Sequence, residues 1–209
     1  MTGLFVTVDG PGGAGKTTTV RYLVDYLSDR GYAVHATTEP SHGALGQLAR
    51  HHTGTYSGHA LACLVAADRY HHLTTDIRPN LAAGKIVICD RYVPSSYVLQ
   101  RMDGVPLPFI EALNADTDRP DLAVILTADP ATTAARIARR GAHTRFETGI
   151  GTSRTEADLY RDTTQRLIAG GYPLVSIDTT QVEPLDIATA IGTRIAQLMD
   201  LRGTAPAAE

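Results

Sequence analysis

An α/β fold, with a five-stranded parallel sheet, helices on both faces and an arginine-bearing lid, is what this sequence predicts. Three observations carry the expectation. Short apolar runs alternate with segments of helical period along the 209 residues. The first run leads directly into VDGPGGAGKTTT, residues 8–19. A basic, glycine-bounded stretch, GAHTRFETGIGTSR at 141–154, interrupts the second half of the chain.

Leu4 to Asp9 reads as a buried strand, and Lys16 to Arg30 as a helix with Val20, Leu23, Val24 and Leu27 at helical spacing, stopped by Gly31. Ala33 to Thr37 is the second strand and ends at Glu39-Pro40. Gly58 to Arg78 is one long helix, with Leu61, Leu64, Val65 and Asp68 near one stripe. KIVICD, Lys85 to Asp90, is the third strand and LAVILTA, Leu122 to Ala128, the fourth. A helix over Ala131 to Arg140 leads into the 141–154 loop, and a second covers Glu156 to Ile168. Leu174 to Ile177 is the fifth strand and Leu185 to Leu201 the last helix, with a frayed tail over 203–209. Strands separated by helices imply a parallel sheet covered on both faces, with ligands beyond its C-terminal strand ends. Asp9, Glu39 and Asp90 each stand at such an end. No linker or repeat divides the chain, so 1–202 reads as one domain.

Composition narrows the partners. A net charge of -3 supplies no field for nucleic acid or anionic membrane, and no apolar run approaches the roughly 18 residues of a membrane span. Cys63 and Cys89 both lie in apolar runs and read as buried thiols of a reducing, cytoplasmic compartment. Neither belongs to a set with zinc-ligand spacing.

Gly10, Gly15, Lys16 and Thr17 fit G-x-x-x-x-G-K-[ST], the phosphate-binding loop of the P-loop NTPase fold. Its glycines let backbone N–H groups turn onto phosphate oxygens in front of a helix N-terminus. Gly10, Gly12, Gly13, Ala14, Gly15, Lys16, Thr17 and Thr18 are therefore candidates for holding ATP, with Lys16 on the β and γ phosphates. Thr17 and Asp90 are candidates for Mg2+, since hard cations prefer such oxygens; a strand-terminal Asp can equally be a helix cap. Arg136, Arg139 and Arg140 lie at i, i+3 and i+4, with Arg145 and Arg154 following. Arginines on a closing lid would steady a phosphoryl group in transit. A solvated basic face is the alternative.

The chain resembles the thymidylate kinase family over residues 3 to about 200. The resemblance is carried by VDGPGGAGKTT, TEP at Thr38–Pro40, AADR at Ala66–Arg69, CDRYVPSS at Cys89–Ser96, PDL at Pro120–Leu122 and RRGAHTRFE at Arg139–Glu147. It implies a P-loop kinase, in-line transfer from ATP, and a dimer built on the long helices, including 58–78. It further implies an ATP side of Gly10 to Thr18 with Arg136 and Arg140, a catalytic arginine from the lid (Arg145), and Arg69 and Arg91 facing the acceptor. Val65, Ser96, Tyr97 and Gln100 fall in the acceptor pocket by the same resemblance, and Tyr70, His71 and His72 are plausible lining, although adjacent helical histidines usually face solvent.

Departures from the family pattern cluster on the acceptor side. Thr38 stands where an arginine usually precedes Glu-Pro, Gly12 where an acid is common, Val65 where an aromatic often stacks on thymine, and Leu99 where a tyrosine is expected. A monophosphate acceptor is already nucleophilic and needs cations; a hydroxyl acceptor needs a base. Without the arginine, Glu39 would keep a carboxylate's ordinary basicity and could serve as that base; Asp9 is the second candidate, unless it only bonds backbone. A nucleoside monophosphate or similar small molecule is the first expectation, and a nucleoside or metabolite hydroxyl the second. A nucleotide switch is the rival of another class, but neither Asn80 nor Asn114 begins an Asn-Lys-x-Asp base reader.

Overall fold

The computed structural model describes residues 3–142 and 145–203. Among them the strands form a five-stranded, wholly parallel sheet in the order β2-β3-β1-β4-β5, as the alternating pattern predicts. In chain order these are β1 Leu4–Asp9, β2 Val34–Thr38, β3 Ile86–Asp90, β4 Leu122–Thr127 and β5 Leu174–Asp178. The strand period of two divides β1 between two cores. Leu4, Val6 and Val8 meet Leu23 and Leu27 of α1 (Lys16–Ser28) and Ile187, Ile191 and Ile195 of the C-terminal helix Pro184–Leu201. Phe5 faces the other way, onto Leu73, Ile77, Val87 and Tyr92.

Between these strands lie α2 (Ala44–His51), α3 (Gly58–His72), α4 (Arg78–Ala82), α5 (Val93–Met102), α6 (Leu107–Leu113), α7 (Pro130–Arg140) and α8 (Ile150–Ala169), with α9 at Pro184–Leu201. Two of them have a side-chain carboxylate at their start. Asp129 caps α7 by accepting from the N–H groups of Ala131 and Thr132, and Pro130 opens its first turn. Buried Asp9 caps α5 across the sheet, accepting from Tyr92 and Ser95 N–H at 2.9 and 3.0 Å.

Four expectations need correction. The long helix ends as α-helix at His72, continues through a π turn at Leu73–Ile77 and resumes as α4, rather than running unbroken from 58 to 78. α2, α5 and α6 fall in segments for which the sequence predicts no element. The irregular part of the 141–154 stretch closes at Gly149, so Arg154 is helical. Cys63 is exposed on α3; only Cys89 is buried. His143, Thr144 and the tail from residue 204 lie outside the described residues.

Candidate functional site

A cavity of about 300 Å³ opens at the C-terminal ends of β1, β2 and β3. The phosphate loop lines one side through Gly12, Gly13, Gly15, Lys16, Thr17 and Thr18. Gly13 sits at φ 77°, and a Cβ there would stand 2.7 Å from the Thr133 carbonyl, so this turn requires glycine. Lys16 is buried, and its ammonium donates to the carbonyls of Gly10 and Pro11, both at 2.8 Å. Burial, then the charge of Arg91, lowers its pKa to about 8. Gly10 and Ala14 shape the loop from beneath: Thr179 Oγ1 donates to the Ala14 carbonyl at 3.0 Å.

Thr17 Oγ1 donates to Asp90 Oδ2 at 2.6 Å, while Asp90 Oδ1 is buried without a hydrogen-bond partner. A hydroxyl and an orphaned carboxylate oxygen beside a phosphate loop are a donor set suited to Mg2+.

The lid side departs from expectation. Arg140 lines the cavity and pairs with Glu147. Arg136 points behind the loop, onto the carbonyls of Gly13 and Thr179 at 3.3 and 2.9 Å. Arg145 is docked on Asp103 at 2.7 Å and lies against Phe146, outside the cavity wall. Arg139 and Arg154 are exposed.

Sequence reasoning missed two carboxylates here. Glu156 of α8 is buried, lines the cavity and accepts from Gly12 N–H at 3.0 Å. Burial raises its pKa, against the opposing charges of Lys16 and Arg91. Glu147 lies so close that a Cβ on Gly12 would be 2.8 Å from its Oε1. The place of the acid that the family resemblance implies is thus bare on the loop and filled from the lid side. Nothing in the sequence connects Glu156 to Gly12, 144 residues away; only the fold does.

On the acceptor side, Glu39, Val65, Arg69, Arg91, Ser96 and Gln100 all line the cavity. Arg69 is 2% exposed and donates through Nε to Glu39 Oε2 at 2.7 Å, through NH2 to Ser96 Oγ at 2.9 Å and through NH1 to Asn114 Oδ1. The expectation of an unpaired Glu39 therefore fails: the cation missing at Thr38 is supplied from α3. Thr38 instead donates to the Asp90 carbonyl at 3.0 Å. Arg91 is the one non-glycine described residue at positive φ, 73°, a strained turn that delivers its guanidinium to the cavity. Asp9 is wholly buried and absent from the cavity wall; its Oδ1 takes all three donors of the α5 start, Ser95 Oγ included at 2.7 Å. Burial raises its pKa, against those hydrogen bonds and the charge of Arg91.

Tyr97 and Tyr70 pack into apolar clusters rather than the cavity wall, and His71 is exposed. His72, weighed as a surface residue, is buried against Glu39 and Thr37. Among the described residues no helix is long and apolar enough to cross a membrane.

Comparison with known proteins agrees with this geometry. A family model described as thymidylate kinase matches residues 8–181. A probable thymidylate kinase of Caldivirga maquilingensis is 36% identical over 176 residues, covering 82% of this chain and 84% of its own. Another from Pyrobaculum aerophilum is 33% identical over 198 residues, covering 93% and 97%. A third, from Pyrococcus horikoshii, is 38% identical over 155 residues, covering 70% and 76%. The phosphate loop, the arginine-lined acceptor wall and these relatives converge: the chain belongs to the thymidylate kinase family, ATP-dependent kinases that phosphorylate a nucleoside monophosphate.

Proposed function

We propose that this chain transfers the γ-phosphoryl group of ATP to the 5′-phosphate of dTMP or a nucleotide of similar build, with Mg2+ held by Thr17 and Asp90. The observation that carries the acceptor assignment is the state of the two candidate bases. Glu39 is tied to Arg69 at 2.7 Å, and Asp9 caps α5 through Oδ1 and lies off the cavity wall. The wall offers cations, Arg69 and Arg91, which an anionic acceptor needs and a neutral hydroxyl does not.

In this reading the loop N–H groups and Lys16 grip the donor phosphates, and Lys16 exchanges its two carbonyl partners for phosphate oxygens. Mg2+ held by Thr17 and Asp90 would supply neutralisation of the charge on the transferring phosphoryl group. Arg91, fixed by its strained turn between the two halves, orients the acceptor phosphate in line. Arg140 and Arg145 leave Glu147 and Asp103 to join the phosphates as the lid closes and excludes water. Val65 and Leu99 give the base an aliphatic wall in place of aromatic stacking.

A conjugate of adenosine and thymidine joined through phosphates tests whether donor and acceptor sites adjoin. Calorimetry should show it binding more tightly than ATP; equal affinity sinks the two-site reading.

One observation favours a second acceptor. Glu156 is a buried carboxylate on the cavity wall, and burial raises its pKa against the charges of Lys16 and Arg91. It could take the proton of a hydroxyl acceptor, in which case thymidine is turned over and Glu156→Gln abolishes it. The protein is further proposed to act in the cytoplasm as a homodimer across the exposed face of α3, which carries Ala60, Cys63 and Ala67. Sedimentation equilibrium giving a monomer at micromolar concentration contradicts the dimer.

A further inference from the structure

Behind the acceptor wall runs a chain of hydrogen-bonded charges that neither the phosphate loop nor the lid accounts for. It begins near the surface, where His35 Nε2 lies 2.9 Å from Asp76 Oδ1. Asp76 Oδ2 is 3.2 Å from His72 Nε2, and His72 Nδ1 is 3.4 Å from Glu39 Oε1. Glu39 Oε2 accepts from Arg69. His72 and Glu39 are each 3% exposed, so water screens little of this chain.

The ring therefore has a carboxylate on each nitrogen. A neutral imidazole carries one N–H and would turn a lone pair toward one of those oxygens; the imidazolium donates to both. Burial works against the charge, but the hydrogen bond to Glu39, with the fields of Glu39 and Asp76, outweighs it and holds the ring above the ordinary value of 6.5. Two further neighbours carry no charge. Thr37 Oγ1 of β2 lies 2.7 Å from Nε2, and the Cys89 thiol of β3 stays neutral because burial pushes its pKa well up. Glu39, His72 and Cys89 place ligand atoms within 4.8 Å of one another, but a guanidinium already holds Glu39, so the trio reads as an ion-pair network rather than a metal site.

The charge arithmetic has a consequence at the cavity. With His72 protonated, Glu39 is shared between two cations, and Arg69 keeps a net positive field toward the acceptor. With His72 neutral, Glu39 falls wholly on Arg69 and cancels it. Arg69 spends one N–H each on Glu39, Ser96 and Asn114, which leaves two of its five for a ligand.

We propose that His72 is a positioning residue: as an imidazolium bridging Glu39 and Asp76, it takes a share of the Glu39 charge and so keeps Arg69 net cationic toward an anionic acceptor. The inference rests on the reading that Arg69 faces the acceptor phosphate.

Two measurements test it. In ligand-free, ¹⁵N-labelled protein, long-range ring correlations of His72 should show both nitrogens protonated near neutral pH, with a titration midpoint above 6.5. A single neutral tautomer, or a midpoint at or below that value, overturns the proposal. In the second, His72→Gln keeps a hydrogen-bonding side chain without the charge. The KM for dTMP should rise about tenfold, and more than kcat changes, while the KM for ATP stays within about twofold. The wild-type rise of the dTMP KM between neutral and alkaline pH, where the phosphate is already a dianion, should vanish in the variant. An equal rise in both KM values, or an unchanged pH profile, overturns it. If no monophosphate is turned over at all, the reading of the acceptor fails, and the ring titration still decides the state of His72.

Discussion

At the residue scale, Lys16 and Asp9 lead to opposite expectations. Lys16 waits buried with a pKa lowered to about 8. In the free enzyme its ammonium is therefore lost as pH rises through that value, whereas bound phosphates hold the proton on. The account predicts that kcat/KM for ATP falls above about pH 8 while kcat stays level to higher pH. A kcat/KM that remains flat well into the alkaline range contradicts it. Asp9 is buried with its pKa raised, so its contribution to stability is greatest at low pH and declines as pH climbs past 3.8, the unfolded value, through the folded one. Asp9→Asn offers the same three donors an acceptor without a buried charge. Its urea midpoint at neutral pH should stay level or rise, and kcat should hold within about threefold. A loss of about 100-fold in kcat would make Asp9 the base. Lys16, Thr17 and Asp90 were legible in the sequence because each is local to a motif or a strand end. Glu156 was not, because its partner is brought to it only by the fold. His72 left a faint trace: Arg69, His72, Leu73 and Asp76 fall at helical spacing on one face, and Arg69, His72 and Leu73 are all buried.

Between elements, the contact that matters most is lid against loop. Gly12 gives its N–H to Glu156 of α8 and leaves the space above its Cα to Glu147. Gly12→Ala would push its methyl into that carboxylate and lift the lid from the loop. We expect kcat/KM for ATP to fall about tenfold, and Glu147→Ala to recover part of the loss in the double variant. Additive losses in that cycle would show that the two residues do not meet. The strands and longer helices were readable from period alone, because buried parallel strands are continuous apolar runs and amphipathic helices repeat regularly. Three helices escaped. α2 has eight residues and α6 seven, too few to show a period, and the start of α5 at Val93 is capped by Asp9 from another strand, which no local signal shows. The long helix was read through the π turn at Leu73–Ile77, where the register slips by one residue just ahead of Pro79, which has no N–H to give the Thr75 carbonyl four residues back.

Over the whole molecule, the C-terminal end of the sheet gathers the groups proposed for donor, metal and acceptor, with α1 and α9 packed on one face and α5 and α8 on the other. The overall layout was legible because topology follows from alternating elements. The acceptor was not, because specificity rests on how charges far apart in sequence compensate one another. Glu39 looked unpaired beside Thr38, yet Arg69 and His72 neutralise it from another helix. In the proposed reading that compensation makes the acceptor-side departures a rebuilt anion site rather than a sign of changed chemistry. Mass analysis of the products formed from Mg-ATP with dTMP and, in parallel, with thymidine tests this most directly. The account predicts dTDP and ADP from dTMP, with thymidine left unchanged. Turnover of thymidine alone would contradict it and make the cavity one for a hydroxyl acceptor.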